Sequence, residues 1–306
     1  MWYHVNNEKF YNLEDFKMKK IKNVLKLMRI KHYLKNILVF IPLIFSSQLF
    51  EWGGVLKTIY GCISFCLISS AVYIINDIKD VEKDKAHKIK KNRPIASGAI
   101  SVKEAVILFV IVTAISLCIN IFVIGKLSSV LLVILYLVLN VMYSLGLKNI
   151  PIIDVVILVS GFVIRVIYGA SITSIEISKW LYLTVMSGSF FMGFGKRRNE
   201  IIKQGDEART VLKYYTKDYL DKFMYACLVL TLMFYSLWSV DATTVSKFGD
   251  TMIYTIPLVM IIFMKYCLDI EGDSYGDPVD VITSDKILMC MVGILAMSMY
   301  FLIYVR

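Results

Sequence analysis

Apolar residues fall in nine long blocks along this chain, with polar and charged residues gathered between them. The blocks lie near residues 36–50, 55–75, 103–123, 127–146, 152–174, 180–195, 223–240, 251–268 and 286–305. Most approach or exceed the roughly 17–20 residues that a helix needs to cross a bilayer, and the first is short. The pattern predicts an all-α polytopic membrane protein. A basic N-terminal segment, residues 1–35, precedes a single nine-helix membrane domain over residues 36–306. No apolar stretch with a small-residue cleavage site opens the chain, so no cleavable signal peptide is expected.

Composition agrees. The chain is 58% hydrophobic with a mean hydropathy of +0.66, more than a soluble domain of this size carries. A net charge of +10 would fit nucleic acid, but its distribution argues against that partner. With the N-terminus placed in the cytoplasm, 28 of the 34 Lys and Arg residues fall on the cytoplasmic side and five outside. The last, Arg165, lies inside a span. The positive-inside rule sets this orientation. It implies a multi-pass protein of the plasma (inner) membrane whose N-terminus and polar loops face the cytoplasm. There the excess charge meets anionic lipid and phosphorylated substrates. The six cysteines lie in or beside apolar blocks without zinc-ligand spacing. Cys62 and Cys66 read as small packing residues.

The chemistry gathers in residues 76–98, NDIKDVEKDKAHKIKKNRPIASG. On a helix, Asn76, Asp80 and Asp84 are spaced by four, and Asp77, Asp80, Asp84 and His87 by three or four, so all share one broad face. Carboxylates stacked this way repel unless a cation sits among them. Mg²⁺ held by a few carboxylates and by substrate phosphate is the usual solution. Asn76, Asp77, Asp80 and Asp84 are the candidate metal ligands, and the three aspartates the candidate catalytic groups. His87, Lys90, Lys91 and Arg93 follow directly, placed to meet phosphate. The plainer alternative is a solvated mixed-charge loop.

A second polar segment, from about Gly195 to Lys222, begins GKRRNEI. Leu-Lys-Asn-Ile occurs at both 34–37 and 147–150. That offset carries Lys83 onto Lys196 and hints at a duplicated four-helix unit whose two polar loops close over one cavity. Arg165 sits within the fifth block, where a charge is costly and normally faces a cavity or a partner. Asp154 shares its face three turns away, out of reach. The last polar loop is acidic, with Asp269, Glu271, Asp273, Asp277, Asp280 and Asp285. It reads as solvated or as a second metal site.

These residues carry a resemblance. Residues 76–98 resemble the first Asp-rich motif of the UbiA-type superfamily of intramembrane prenyltransferases. HYLKNILVFIPLIFS (32–46), YSLGLKNIPIIDVVILVSGFVIRVIYGA (143–170), SKWLYLTVMSGSFFMGFGKRRNEI (178–201) and KYCLDIEGDSYGDPVDVITSD (265–285) resemble its decaprenyl-phosphate phosphoribosyltransferase branch. The likeness spans nearly the whole chain after Leu27. It implies a nine-helix UbiA-type bundle around a central cavity. It implies a Mg²⁺-dependent transferase moving 5-phosphoribose from phosphoribosyl diphosphate to a polyprenyl phosphate, with release of diphosphate. Cell-wall precursor synthesis is that branch's best-known setting, and a homo-oligomer is compatible with it. Carried over by position, Asn76, Asp77, Asp80 and Asp84 would hold Mg²⁺ on the donor diphosphate. Lys35, Lys90, Arg93, Arg165, Lys196 and Arg197 would bind phosphate. The chain departs from the family in lacking a Pro shortly after the His; Lys88 and Ile89 follow His87 instead.

Two other readings remain. A UbiA-type enzyme moving an isoprenyl group from a prenyl diphosphate to an aromatic acceptor would usually carry a second Asp-rich motif after the sixth span. Here that segment opens Lys-Arg-Arg, with Asp218 and Asp221 a close acidic pair beside Tyr215 and Tyr219. A transporter would suit the spans and the intramembrane Arg, but not the ordered Asp, His, Lys and Arg of residues 77–93.

Overall fold

The computed structural model describes residues 18–205, 209–272 and 276–305. Residues 1–17 with His4, and Asp206, Glu207, Asp273 and Arg306, lie outside the described residues. Every regular element among the described residues is helical. Helix α1 (18–28) leads into a 3-10 segment, Ile30–Phe40, and the short α2 (Ile41–Ile44). Then come α3 (Trp52–Lys79), α4 (Val81–Ala86), α5 (Val102–Cys118), α6 (Leu127–Leu145), α7 (Ile153–Thr173) and α8 (Lys179–Gln204). The chain continues through α9 (Lys217–Val240), α10 (Ala242–Phe248), α11 (Ile256–Glu271), α12 (Pro278–Ser284) and α13 (Lys286–Tyr300).

Among the described residues, seven helical stretches are long and apolar enough to cross a membrane: Trp52–Lys79, Val102–Ile124, Leu127–Leu145, Ile153–Thr173, Lys217–Val240, Asp250–Glu271 and Lys286–Val305. The two remaining blocks of the nine differ for separate reasons. The first consists of the end of the 3-10 segment Ile30–Phe40, the short α2, opened by Pro42, and turns. The eleven residues of that 3-10 segment cover about 22 Å at about 2.0 Å per residue, more than an α-helix of that length. The sixth belongs to α8, which has 26 residues but runs on past its apolar part into Lys196–Glu200.

The chain forms two compact units. One comprises the described residues up to Asn36 with Ile59–Ser144; the other comprises Ile37–Thr58 and the described residues from Leu145 onward. In the first, α3 and α5 meet across a buried polar seam. Ser64 and Ser116 hydroxyls lie 2.8 Å apart, and Asn120 Nδ2 donates to Ser64 Oγ at 2.6 Å. Small hydroxyl residues let apolar helices approach and satisfy one another inside a bilayer. Ser101 starts α5 with a capping box to Glu104, and Lys20 of α1 pairs with that Glu104 at 2.6 Å. Lys26 donates to the backbone of Asn92 at 2.9 Å. Thus α1 is tied down at both ends along the polar side of this unit.

In the second unit the core packs Phe191 and Phe194 of α8, Leu220 and Met224 of α9, and Tyr266 and Ile270 of α11. The segment holding Val39 presses on α7 at Gly169, where an added Cβ would lie 2.0 Å from the Val39 carbonyl oxygen and 2.9 Å from its carbon. Both atoms are backbone and cannot swing aside. Gly169→Ala is therefore expected to be among the most destabilising single changes in the chain, costing about 3 kcal/mol or more. The measurement is thermal unfolding in detergent; a melting temperature equal to that of the parent would mean that the contact relaxes freely.

Candidate active site

The Asp-rich motif does not form one continuous helix. Helix α3 stops at Lys79, Asp80 takes φ −92° and ψ 10°, and α4 begins at Val81. The single-face expectation is corrected here to two helices meeting at Asp80. Hydrogen bonding nevertheless bridges the break, Asp80 N–H to Asn76 O at 2.9 Å and Asp84 N–H to Asp80 O at 2.8 Å. Spacings of four are preserved while the turn brings Asp77 and Asp84 inward, to 2% and 3% exposure. Asp80 is half-buried at the turn. Asn76 is fixed by Ser144 Oγ, which donates to its Oδ1 at 3.2 Å. His87 is exposed, and its Nδ1 accepts the Ile89 N–H at 3.1 Å, ordering the turn that follows. Lys90 and Lys91 are exposed on the 3-10 turn Lys90–Asn92, and Lys35 is half-buried in the 3-10 segment near the N-terminus.

Arg93 lies between the buried carboxylates. Its Nη1 donates to Asp84 Oδ2 at 2.7 Å and to Asp77 Oδ1 at 3.1 Å. A second guanidinium, absent from the expected set, joins it. Arg29 Nη2 donates to the same Asp77 Oδ1 at 2.6 Å, and the guanidinium stacks on Tyr73 with its carbon 4.6 Å from the ring centroid. Arg29 has φ +53°. A non-glycine residue there carries about 1–2 kcal/mol of backbone cost, which the ion pair and the stacking offset. Nothing local in the sequence signals it, because its partner lies 48 residues downstream.

The cation required among these carboxylates is thus supplied by arginine. Among the described residues no three His, Cys, Asp or Glu side chains are gathered as a metal site. The donor set still fits Mg²⁺. Asp77 and Asp84 are oxygen donors bridged by a single nitrogen of Arg93. Mg²⁺ is held by one or two carboxylates, with water and substrate phosphate completing its shell.

The second polar segment is built in the other unit, and its three adjacent cations diverge. Lys196 pairs with Asp277 at 3.2 Å. Arg197, 1% exposed, turns inward, Nε to Asp154 Oδ2 at 2.6 Å and Nη1 to Glu200 Oε2 at 2.7 Å. Arg198 pairs with Asp221. Successive residues of a helix point about 100° apart, so each cation reaches a different neighbour. The Tyr215 hydroxyl donates to Asp154 Oδ1 at 2.6 Å and accepts the Ile152 N–H. Burial and the Asp154 hydrogen bond push its hydroxyl above the usual tyrosine range, so it keeps its proton. That contact also holds Ile152 at φ +70°. Arg209 completes the group on Glu200 at 3.3 Å. Arg165 is buried on α7 and donates to the Gly161 carbonyl of its own helix. Asp154, expected to share its face without touching it, is spent on Arg197 and Tyr215.

The acidic last loop is divided among several partners, with Glu271 taken by Arg198 and the Tyr225 hydroxyl. Lys265 bridges Asp269 and Asp285, and its ammonium and the Leu288 N–H hold Asp285 below the usual carboxylate range. Gly276, at φ +77°, lies so near Lys196 Cα that an added Cβ would stand 3.1 Å away. That approach brings Asp277 to Lys196.

Comparisons with known proteins bear on the family and the fold. The UbiA prenyltransferase family is matched over residues 37–274. Decaprenyl-phosphate phosphoribosyltransferase of Corynebacterium glutamicum is 31% identical over 275 residues, 88% of this chain and 82% of that protein. Its counterpart in Mycolicibacterium smegmatis is 30% identical over 303 residues, 92% of this chain and 93% of that protein. Among solved structures, a UbiA homolog from Archaeoglobus fulgidus bound to DMAPP and Mg²⁺ superposes with a TM-score of 0.67. It covers 92% of this chain and 99% of its own at 17% identity. An all-helical chain with an Asp-rich helix end, matched in this way over most of its length, belongs to the UbiA prenyltransferase family.

Proposed function

We propose that the chain is a polyprenyl-phosphate phosphoribosyltransferase of the plasma membrane that takes phosphoribosyl diphosphate as donor and releases diphosphate. The observation that carries this reading is the state of the second polar segment. A prenyl diphosphate enzyme of the usual kind would need a carboxylate pair there for a second metal ion. Asp221 is engaged by Arg198, and Asp218 by Lys222 at 2.6 Å. Lys and Arg outnumber Asp and Glu in that segment by eight to five, which suits two phosphorylated substrates. Relatives named decaprenyl-phosphate phosphoribosyltransferase, 30–31% identical over about nine-tenths of the chain, support the same reading.

In the proposed reaction the bond from the ribose anomeric carbon to the diphosphate oxygen breaks, and an acceptor phosphate oxygen bonds to that carbon. The acceptor oxyanion is already a nucleophile, so no strong base is required. Mg²⁺, when bound, neutralises the departing diphosphate as the ribosyl carbon becomes oxocarbenium-like. Asp77 and Asp84 would hold the ion, with Asn76 and Asp80 as further ligands. Ser144 orients the Asn76 amide. Lys90, His87 and Arg93 line the polar side of the motif and take phosphate oxygens, with Lys35 as a further cation. In the second unit Lys196 and Arg165 are the cations assigned to phosphate. Arg197 is assigned a positioning role, because its guanidinium is already shared by two carboxylates.

The test is mass spectrometry of lipid products from purified protein given labelled phosphoribosyl diphosphate, a polyprenyl phosphate and Mg²⁺. A phosphoribosylated lipid with matching diphosphate release is expected. The second reading, isoprenyl transfer, is favoured by the DMAPP and Mg²⁺ bound to the Archaeoglobus fulgidus homolog. A prenylated aromatic product and indifference to phosphoribosyl diphosphate would decide for it. The orientation has its own test. Cysteines at the exposed positions Lys85 and Lys213 are expected to label only from the cytoplasm, and one at Ser246 only from outside. Labelling of Lys213 from outside would reverse the assignment.

A further inference from the structure

Asp77 and Asp84 are bridged by one nitrogen of Arg93, and Arg29 presses on the same Asp77 oxygen. A metal ion on these carboxylates would draw their oxygens to about 2.1 Å, nearer than the 2.6–3.1 Å at which the guanidinium nitrogens now stand. Where the ion takes Asp77 Oδ1 and Asp84 Oδ2, cation and guanidinium compete for the same oxygens.

Charge decides what must accompany the exchange. Two buried carboxylates with two arginines are neutral as a group. A divalent ion entering alone would leave two positive charges in excess in a partly buried place, which is costly. An ion entering with a diphosphate brings its own compensation. Both displaced guanidinia are forked donors suited to phosphate oxygens. Arg29 is preset for such a swing. It stands at a strained backbone position between α1 and the 3-10 segment, it is stacked on Tyr73, and its side chain is about one-fifth exposed.

We propose that Arg29 and Arg93 are exchange ligands. They hold Asp77 and Asp84 while no ion is bound, then pass to the donor's diphosphate when the ion takes the carboxylates. Arg29 is thereby a donor-binding residue contributed by the N-terminal segment. This rests on the assignment of a metal-bound diphosphate donor above.

The experiment measures two affinities in purified, folded protein: Mn²⁺ alone, by the spin-resonance signal of the free ion, and labelled pyrophosphate at saturating Mn²⁺. In Arg29→Gln and Arg93→Gln the two should move in opposite directions. Mn²⁺ alone should bind about fivefold or more tightly, while pyrophosphate should bind about tenfold more weakly, the scale of one lost charge-assisted contact. A merely structural role would weaken both. Both affinities falling together, or Mn²⁺ affinity unchanged, overturns the exchange. Should Arg93→Gln fail to fold, Arg93→Lys takes its place. Its ammonium keeps the charge but loses the fork, so the same opposed shifts are expected at smaller size. Parent protein that binds Mn²⁺ but neither pyrophosphate nor phosphoribosyl diphosphate overturns the donor assignment itself. Parent protein that binds them, with variants like the parent, overturns only the exchange.

Discussion

Asp77→Asn is expected to abolish measurable transfer while the protein stays folded in detergent. The exchange keeps the shape and one oxygen of a side chain that is 2% exposed, and it removes the charge. Loss of groups that merely support metal ligands costs about 10- to 100-fold, so loss of a direct ligand should exceed about 100-fold. Stability should fall too, by about 1–3 kcal/mol, because Arg29 and Arg93 lose a charged acceptor. Asp84→Asn should behave alike, since Arg93 also rests on it. Turnover assayed with saturating donor, beside a melting curve, separates the two effects. Activity within a few-fold of the parent in both variants would remove these aspartates from the reaction.

The second large effect is expected at Arg197, and it is an effect on folding. Arg197→Ala leaves Asp154, 0% exposed, without its cation, and leaves Glu200, 7% exposed, with Arg209 alone. Breaking a buried ion pair from one side costs about 3–5 kcal/mol, enough to lower yield and melting temperature sharply. Lys196→Ala, one residue away, should leave the fold nearly untouched. It should weaken substrate binding about ten- to a hundredfold if its ammonium takes phosphate. Equal melting temperatures for Arg197→Ala and the parent, together with a loss of donor affinity, would return Arg197 to the phosphate ligands.

The contrast shows what the sequence could carry. Long apolar blocks are local signals, and they located seven crossing helices within a few residues. In the block at 36–50 the 3-10 winding and the contact of Val39 against Gly169 are tertiary features that no local apolar pattern encodes. The aspartate spacings pointed to shared cation binding, and the cation that the chain supplies is arginine. Arg29 escaped notice because in a basic N-terminal segment every arginine looks like topology charge. Lys196, Arg197 and Arg198 are adjacent in sequence but diverge in space. Their partners Asp277, Asp154 and Asp221 come from three distant stretches, which only the packed helices bring to them.

That divergence makes the end of α8 a matter of phase. One residue inserted between Gly188 and Lys196 would turn everything beyond it by about 100°. The lysine would then point where the buried arginine now sits, and the arginine where Arg198 meets α9. Composition, charge and hydropathy would be almost unchanged, yet each cation would face the wrong carboxylate. Conservative changes of residue type along this helix should be borne more easily than any change in its length.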